Sequence, residues 1–317
     1  MQTHEDATLT ELLEQLKSPD TAVRRLAIMG LEEQLDMSAL PAVVRALDDS
    51  DPTIRRVAVK LAEELGDPAA IPGVIRRLTD DVPEVRHLAR MALREFRGAE
   101  CVPMLLVAIN DPDPQVRSAV IAGLRELRDV RTLPPLTNAM RDPAAEVRQE
   151  AVTTLGYLRL PESVPTLVAA LADPDAHVRR LAIGALSFFK RPELVNDLAG
   201  VLHDPDWQVR QEAVIVVGRC DAAAAKAPLI AALGDPAWQV VKEAALAVGR
   251  LKISAEHELR PLLGSDLADL RRAGAMGLGF GHAVGSVEAL KRLLDDPDAE
   301  VRKAAARALE ELFPRPA

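Results

Sequence analysis

The amino-acid sequence predicts an all-α, right-handed solenoid (a superhelix) of about ten helical hairpins, and a repeat and the composition lead to this prediction. A dipeptide of an aliphatic residue followed by arginine recurs along the 317-residue chain, first as Val23-Arg24 and last as Val301-Arg302. Successive copies are 31 residues apart, except for one interval of 30 after Val240. Hydrophobic residues make up 48% of the chain and aromatic residues only 3%, which is typical of helices built from Leu, Ala and Val. A period of this length indicates a solenoid, in which each repeat contacts only its neighbours.

The second helix of each hairpin is predicted around the dipeptide, whose aliphatic residue is position 0. Apolar residues return at 0, +4, +8 and +11, as in Val178, Ala182, Leu186 and Phe189, and this spacing places them on one face of an α-helix. Asp at −5 in eight copies is interpreted as the N-cap, and Pro at −4 in seven copies as a first-turn residue. The second helix is therefore expected to begin near −4. Position 0 is occupied by Val23, Ile54, Val85, Val116, Val147, Val178, Val209, Val240, Leu270 and Val301.

The first helix of each hairpin is predicted upstream, with apolar residues at −14, −11, −10 and −7, as in Val164, Leu167, Val168 and Leu171. Proline stands at −13 in five copies, where the start of a helix accepts it. These prolines are Pro41, Pro72, Pro103, Pro134 and Pro165. The ten hairpins cover roughly residues 8–313, so we expect a single solenoid domain over residues 1–317.

The repeat signature D-P-x-x-x-V-R-x-x-A-x-x-A-L, present in full at residues 173–186, resembles the HEAT-repeat family. The likeness is to the short HEAT-like repeats of phycobilisome lyase subunits and many bacterial proteins. It implies an architecture and not an activity. It also implies a ladder of charge-assisted hydrogen bonds between neighbouring repeats, made by Asp at −5 and Arg at +1. The ladder is expected to break in repeat 8, where Val241 replaces the arginine, and in repeat 9, where Ser265 replaces the aspartate.

Repeat 9 is one residue short and rich in glycine, with Gly274, Gly277 and Gly279 in its predicted second helix and Gly281 and Gly285 after it. Each glycine inside a helix costs about 1 kcal/mol relative to alanine, so a softer, kinked segment is expected. The G-L-G-F-G run has no strand before it and so lacks the context of a nucleotide-binding loop. Close packing of helices explains it better.

The net charge, the opening residues and the lengths of the apolar runs indicate which classes of partner to expect. With 39 basic and 48 acidic residues the net charge is −9, whereas a general nucleic-acid binder needs a positive footprint. The opening residues, MQTHEDATLT, lack the basic and apolar segments of a signal peptide. No apolar run approaches the roughly 18 residues that a membrane span requires. We therefore expect a cytoplasmic protein with neither a membrane nor nucleic acid as its partner.

No local motif points to catalysis. The six histidines include no H-E-x-x-H or other closely spaced ligand set, so neither a metal nor a cofactor is expected. Cys101 begins a first helix, and Cys220 occupies the core position +11. Because solenoid repeats contact only their neighbours, no Ser-His-Asp or Cys-His arrangement can be assembled from local motifs. An enzyme is the weaker hypothesis.

The residues expected to bind a partner lie on the side of the second helices that faces away from the apolar stripe, at +2, +6, +9 and +10. The resemblance implies that this side lines a concave surface. In repeats 1 to 4 the +10 column is acidic, and a solvated, ion-paired face is the simpler interpretation there. Its members are Glu33, Glu64, Glu95 and Glu126.

From repeat 5 onward the +10 column carries aromatic residues and arginines, which are typical of binding hot spots. Glycine at +9 in four of these repeats predicts exposed backbone and a shallow groove. Both tryptophans stand at −2, and three glutamates at +3 could orient the arginines. Packing of the rings into seams between repeats is the alternative. The candidate partner-binding residues are Tyr157, Phe188, Arg219, Arg250 and Phe280 at +10, Trp207 and Trp238 at −2, and Glu150, Glu212 and Glu243 at +3.

The preferred function is a non-catalytic scaffold that holds another protein or a peptide on its concave face. Two alternatives stay open. The resemblance to phycobilin lyases suggests a lyase-like or chaperone-like subunit, although no catalytic residue set can be mapped onto this chain. A HEAT-like nucleic-acid binder, similar to the DNA glycosylases of this architecture, would stack bases on Trp207 and Trp238.

Overall fold

The computed structural model describes residues 8–189 and 193–313, and all regular secondary structure in these residues is helical. Within these ranges twenty α-helices follow one another as ten pairs, joined by short turns that often include one turn of 3₁₀ helix. The chain divides into two compact units, Met1–Ser163 and Val164–Ala317, and the described residues place five helix pairs in each. The predicted all-α architecture of ten hairpins is confirmed.

In the first unit the two helices of every hairpin pack against each other, and most second helices also contact the second helix of the next hairpin. Its helices are α1 (Leu9–Gln15), α2 (Thr21–Gly30), α3 (Leu40–Ala46), α4 (Pro52–Leu65), α5 (Ile71–Arg76), α6 (Pro83–Ala92), α7 (Cys101–Leu106), α8 (Pro114–Leu124), α9 (Leu133–Ala139) and α10 (Ala145–Leu158).

The second unit has the same construction, and its second helices form an unbroken layer from α12 through α14, α16 and α18 to α20. Its helices are α11 (Val164–Ala169), α12 (Ala176–Leu186), α13 (Leu194–Leu198), α14 (Trp207–Val217), α15 (Ala222–Ala232), α16 (Trp238–Arg250), α17 (Glu256–Leu259), α18 (Ala268–Phe280), α19 (Val287–Arg292) and α20 (Ala299–Leu312).

The predicted apolar stripe forms the core of the hairpins. Val178, Ala182 and Leu186, at positions 0, +4 and +8, are fully buried, and so is Leu167 of the first helix beside them. Burial of one such Leu stabilises the fold by about 1.5–3 kcal/mol. Phe189 at +11 is only half-buried, so the stripe narrows where the second helix ends.

The second helices begin two residues later than expected, because the N-cap is the residue at −3 and not the Asp at −5. In α14 the side chain of Asp206 accepts hydrogen bonds from the amides of Gln208 and Val209. Asp204 at −5 instead accepts one from the amide of Asp206, at 2.9 Å, and closes the preceding turn. Pro205 therefore lies before the helix. Two acidic residues share the D-x-D segment, and only the second is within reach of the free amides at the helix start.

The Asp-Arg ladder is present, and each rung joins a repeat to the one that follows it. Arg179 donates from Nε and Nη2 to both carboxylate oxygens of Asp204, at 2.7 and 2.8 Å. Its Nη1 donates to the carbonyl oxygen of Asp173 in its own repeat, at 2.8 Å. Each arginine thus ties two successive turns together. The same bidentate pair, with partners 25 residues apart, occurs at Arg24–Asp49, Arg55–Asp80, Arg117–Asp142, Arg210–Asp235 and Arg271–Asp296.

The two substitutions expected to break the ladder affect one and the same rung. In this register the +1 residue of repeat 8, Val241, would pair with the −5 residue of repeat 9, Ser265. The loss of the guanidinium is therefore matched by the loss of its carboxylate. Ser265 keeps the local role of the aspartate, because its Oγ accepts the amide of Leu267 at 3.2 Å. The rung from Arg271 to Asp296 resumes the ladder.

The +9 glycines are buried in helix seams, so the prediction that they expose the backbone is wrong, although Gly279 does line the groove described below. A Cβ atom on Gly249 would come within 2.7 Å of the Cα of Gly277, and one on Gly279 within 2.6 Å of the Cα of Ala308. Position +9 of one second helix thus packs against +7 of the next. Close packing, which the sequence favoured for the glycines of repeat 9, is confirmed, and α18 is a continuous helix through them.

Candidate partner-binding groove

The second helices of the last three hairpins, α16, α18 and α20, form the floor and walls of a groove of about 800 Å³. The glycine seams bring these three helices close together, and their apolar stripes face the first helices. Most of the groove lining comes from positions +2, +3, +6 and +10, and Gly279 and Glu310 at +9 also line it. It lies entirely within the second unit.

The floor of the groove is apolar. Leu246 and Met276 at +6 and Phe280 at +10 are half-buried side chains, and the buried Ala273 and Ala304 line the groove with them. A partner side chain seated on these groups would remove apolar surface from water, at about 25 cal/mol per Å². The floor can therefore serve as an anchor site.

The rim of the groove carries an exposed ion pair that a partner can exchange. Lys303 Nζ lies 2.7 Å from Glu300 Oε1, with the two side chains 66% and 59% exposed. An exposed pair of this kind is worth about 0–1 kcal/mol, so replacing it by a pair with a partner costs little. A second pair, in which Lys242 Nζ lies 3.6 Å from Glu243 Oε1, is more buried. The other charged lining residues are Arg272, Arg307, Glu310 and Glu311.

A smaller cavity of about 220 Å³ opens beside the groove. The Trp238 ring lines it together with an acidic set of side chains, and the Lys242 ammonium lies 5.5 Å from the centre of that ring. Two of its residues, Arg272 and Glu300, also line the groove. The full lining is Trp238, Leu267, Ala268, Asp269, Arg272, Asp298 and Glu300. We call this cavity the Trp238 pocket.

The two tryptophans occupy equivalent positions but different surroundings. Both lie at −2, which is the first residue of the second helix in each case. Trp238 is half-buried and lines the pocket, whereas Trp207 is 36% exposed and lies outside both cavities. The two rings therefore differ, because Trp238 alone lies beside the residues near the starts of α18 and α20 that line the pocket.

The structure brings three of the predicted residues together: Glu243 and Phe280 line the groove and Trp238 lies beside it. Four others, Phe188, Glu212, Arg219 and Arg250, belong to the same unit but do not line either cavity, although Phe188, Arg219 and Arg250 are exposed.

The remaining two predicted residues, Tyr157 and Glu150, lie in the first unit. Tyr157 is 40% exposed, and the guanidinium of Arg128 lies 5.1 Å from its ring centre. Glu150 accepts a hydrogen bond from Arg125, and its Oε1 lies 3.9 Å from Nη2 of Arg94. Glu150 therefore neutralises arginines of earlier repeats and does not orient those of the +10 column.

Several lining residues were missed by sequence reasoning, most clearly Lys242, Arg272 and Lys303 at +2. The signal was present, since +2 is basic in each of the last three repeats and +6 reads Leu246, Met276, Arg307. The +10 column was predicted instead because it carries the aromatic residues.

The acidic +10 column of the first unit is exposed as expected, at Glu33, Glu64, Glu95 and Glu126. Glu64 and Glu95 line a third, shallow cavity of about 520 Å³ with Lys60 and Glu63. Burial and the nearby charge of Glu95 raise the pKa of Glu63. This acidic face is distinct from the groove.

Both cysteines are free thiols with little nucleophilic character. Cys101 is buried and its Sγ–H donates to the carbonyl oxygen of Arg97 at 3.0 Å. Burial raises the pKa of both Cys101 and Cys220, which lowers the thiolate fraction. Across residues 8–189 and 193–313 there is no group of three or more His, Cys, Asp or Glu side chains that could hold a metal ion. Nor does any helix in these ranges have the length and apolarity to cross a membrane.

Known proteins share this architecture. The family described as HEAT repeats matches residues 9–94, 77–146, 133–207, 195–278 and 256–315. An engineered protein from a structural genomics consortium is 19% identical with a TM-score of 0.51, and the alignment covers 96% of this chain and 98% of that one.

A chain from the structure of Kap95p with RanGDP is 14% identical with a TM-score of 0.63, over 96% of this chain and 49% of that one. The protein therefore spans about half the length of this second neighbour. At such identities the likeness concerns the fold alone. No curated protein matches the sequence.

Proposed function

The chain belongs to the HEAT-repeat family, and we propose that it is a non-catalytic scaffold that holds a segment of a partner protein in the groove over α16, α18 and α20. One observation carries the proposal. The groove combines an apolar floor at Leu246, Met276 and Phe280 with a charged rim, where the exposed Lys303–Glu300 pair can be exchanged. Protein interfaces have this anatomy, with an apolar centre and a polar rim.

The dimensions of the groove suit a peptide segment. Its volume of about 800 Å³ falls within the range of pockets that hold small ligands or a few side chains, and it extends across three helices. Kap95p, one of the structural neighbours, binds RanGDP, which gives a precedent for protein binding by this architecture. The presence of two free thiols is in keeping with a cytoplasmic setting.

The two alternative functions receive less support. A lyase of the phycobilisome type would need a reactive group, and neither thiol has a lowered pKa. A nucleic acid needs a surface of net positive charge, whereas the four basic residues that line the groove are matched by four glutamates, Glu243, Glu300, Glu310 and Glu311. A protein partner is therefore preferred.

The experiment selects peptides from a random 12-residue display library with the full chain as bait. Synthetic versions of the enriched peptides are then titrated by fluorescence anisotropy against the parent and against Met276→Lys. A lysine on the floor should weaken binding at least tenfold. The matched control is Met29→Lys, which changes the exposed residue at the same position, +6, in repeat 1 and should leave affinity unchanged.

A second control replaces Glu33 and Glu64 together by alanine, and this change should also leave affinity unchanged. If the parent enriches no peptide, or if the enriched peptides ignore Met276→Lys and are lost with the glutamates, the groove is not the binding site. Thermal unfolding followed by circular dichroism verifies that each variant is folded.

A further inference from the structure

We propose that the Trp238 pocket is a subsite for a lysine or arginine side chain of the bound segment. This inference rests on the proposed function, because the subsite opens beside the groove and shares Arg272 and Glu300 with it. It adds a specificity rule: the partner segment carries a basic residue close to its apolar anchor.

The lining of the pocket favours a cation. Three carboxylates, those of Asp269, Asp298 and Glu300, face one guanidinium, that of Arg272. Arg272 is already paired, since its Nη2 lies 2.8 Å from Asp269 Oδ1. Glu300 pairs with Lys303 in an exposed contact that a partner can exchange, which leaves Asp298 as the lining carboxylate open to a positive side chain.

Asp298 keeps capacity for a new hydrogen bond. Its Oδ1 caps α20 by accepting the amides of Glu300 and Val301, at 2.8 and 3.1 Å. Those bonds fix the carboxylate in place and leave Oδ2 available to a donor. A fixed acceptor at the edge of a cavity binds an incoming donor with little loss of conformational entropy.

The indole ring supplies the second element. An ammonium or guanidinium group within about 6 Å of a tryptophan ring centre is attracted by the negative face of the ring. The Lys242 ammonium lies at 5.5 Å, so the ring of Trp238 already takes part in such a contact. A pocket of about 220 Å³ has room for one side chain and not for a second peptide backbone.

The partner is thereby specified by chemistry: a segment with a large apolar residue for the Leu246–Met276–Phe280 floor and a neighbouring Lys or Arg for the Trp238 pocket. Trp207 offers a built-in comparison. It begins the preceding second helix at the same position, but it lines neither cavity.

The test uses the peptides enriched by the parent chain in the display experiment. Their sequences should share a Lys or Arg near the apolar anchor. Replacing that residue by norleucine, which keeps the aliphatic length and removes the charge, should weaken binding to the parent about fivefold or more. Trp238→Leu and Glu300→Gln should each weaken binding of the basic peptide by a similar factor. Neither change should alter binding of the norleucine peptide. Trp207→Leu should leave the affinity for both peptides unchanged.

Each outcome separates the two proposals. If enriched peptides lose affinity with Met276→Lys but carry no basic residue, or bind equally well with norleucine, the subsite is refuted and the groove stands. If no peptide depends on Met276, both fail. Glu300→Gln keeps the test decisive if Trp238→Leu misfolds, because Glu300 is exposed and its replacement should not disturb the helix layer.

Discussion

The guanidinium of Arg210 and the carboxylate of Asp235 are joined by two parallel hydrogen bonds, from Nε to Oδ2 at 2.7 Å and from Nη2 to Oδ1 at 2.8 Å. The two side chains are largely buried, and Nη1 of the same arginine donates to the carbonyl oxygen of Asp204 at 2.8 Å. The pair thus fastens the turn of repeat 7 to the turn of repeat 8. This position makes the ladder a determinant of inter-repeat geometry.

Replacing Arg210 by alanine should destabilise the second unit by about 1–3 kcal/mol, because Asp235 and a turn carbonyl would lose their donor while remaining poorly solvated. Urea unfolding followed by circular dichroism measures the change. Arg219→Ala is the matched control, since Arg219 is exposed at the end of the same repeat. Equal urea midpoints for the two variants would show that the Arg210–Asp235 pair contributes nothing to the free energy of unfolding.

Acid should weaken the ladder at a defined pH. Burial acts to raise the pKa of Asp80, but hydrogen bonds from Arg55 and from the amide of Val82, with the charge of Arg55, together outweigh it and hold that pKa at about 2. Because this lies below the value in an unfolded chain, near 3.9, the rung contributes its full stability above about pH 4 and loses it as pH falls toward 2. The contribution at stake is about 2 kcal/mol.

Urea midpoints of the parent and of Asp80→Asn, taken from pH 7 to pH 2.5, test this titration. The parent should lose more stability between pH 5 and 2.5 than the variant does. Asp20→Asn, which retains an N-cap residue, should follow the parent. Parallel curves for the parent and Asp80→Asn would place the acid-sensitive groups elsewhere.

A methyl group added at a glycine seam should be destabilising even though alanine favours helices. Gly249→Ala would bring Cβ within 2.7 Å of the Gly277 backbone, and such overpacking costs about 1–3 kcal/mol. Gly184→Ala in α12 meets no atom within 4 Å and should instead stabilise by up to about 1 kcal/mol. Thermal unfolding of the two variants gives the sign of each change in stability. A stabilised Gly249→Ala variant would contradict the tight packing at this glycine seam.

Repeat 9 should open more readily than repeat 7. The rung between Val241 and Ser265 is absent, and the first helix α17 has only four residues. Amide hydrogen exchange with mass spectrometry should show faster exchange in residues 253–285 than in residues 193–220. Equal protection in the two segments would mean that tight packing of the glycine seams compensates for the missing rung.

The sequence predicted the hairpins well because burial in one repeat depends on residues close together in that repeat. Val147, Ala151 and Leu155 are buried as their spacing requires. It failed where a second helix meets its neighbours. A helical wheel treats the helix as an isolated cylinder, so it placed Gly249 on the open side, whereas the next repeat covers that flank.

The candidate site was predicted only in part for the same reason. Phe280 and Glu243 were found from their columns, but a groove exists only where three second helices lie side by side and expose the right set of positions. Nothing within its own repeat marks Met276 as a residue that lines the groove. Its role depends on Leu246 one repeat earlier and Arg307 one repeat later.

Each ladder repeat carries both halves of its own connector: an acceptor in the turn that opens the second helix and a donor six residues further on. Any such repeat can in principle follow any other, since the carboxylate at its start meets the guanidinium of whatever repeat precedes it. Duplication or deletion of a 31-residue segment would therefore regenerate an intact rung at the new junction. Such a chain can change length in whole hairpins without inventing a new interface, much as a polymer grows by adding monomers with complementary ends.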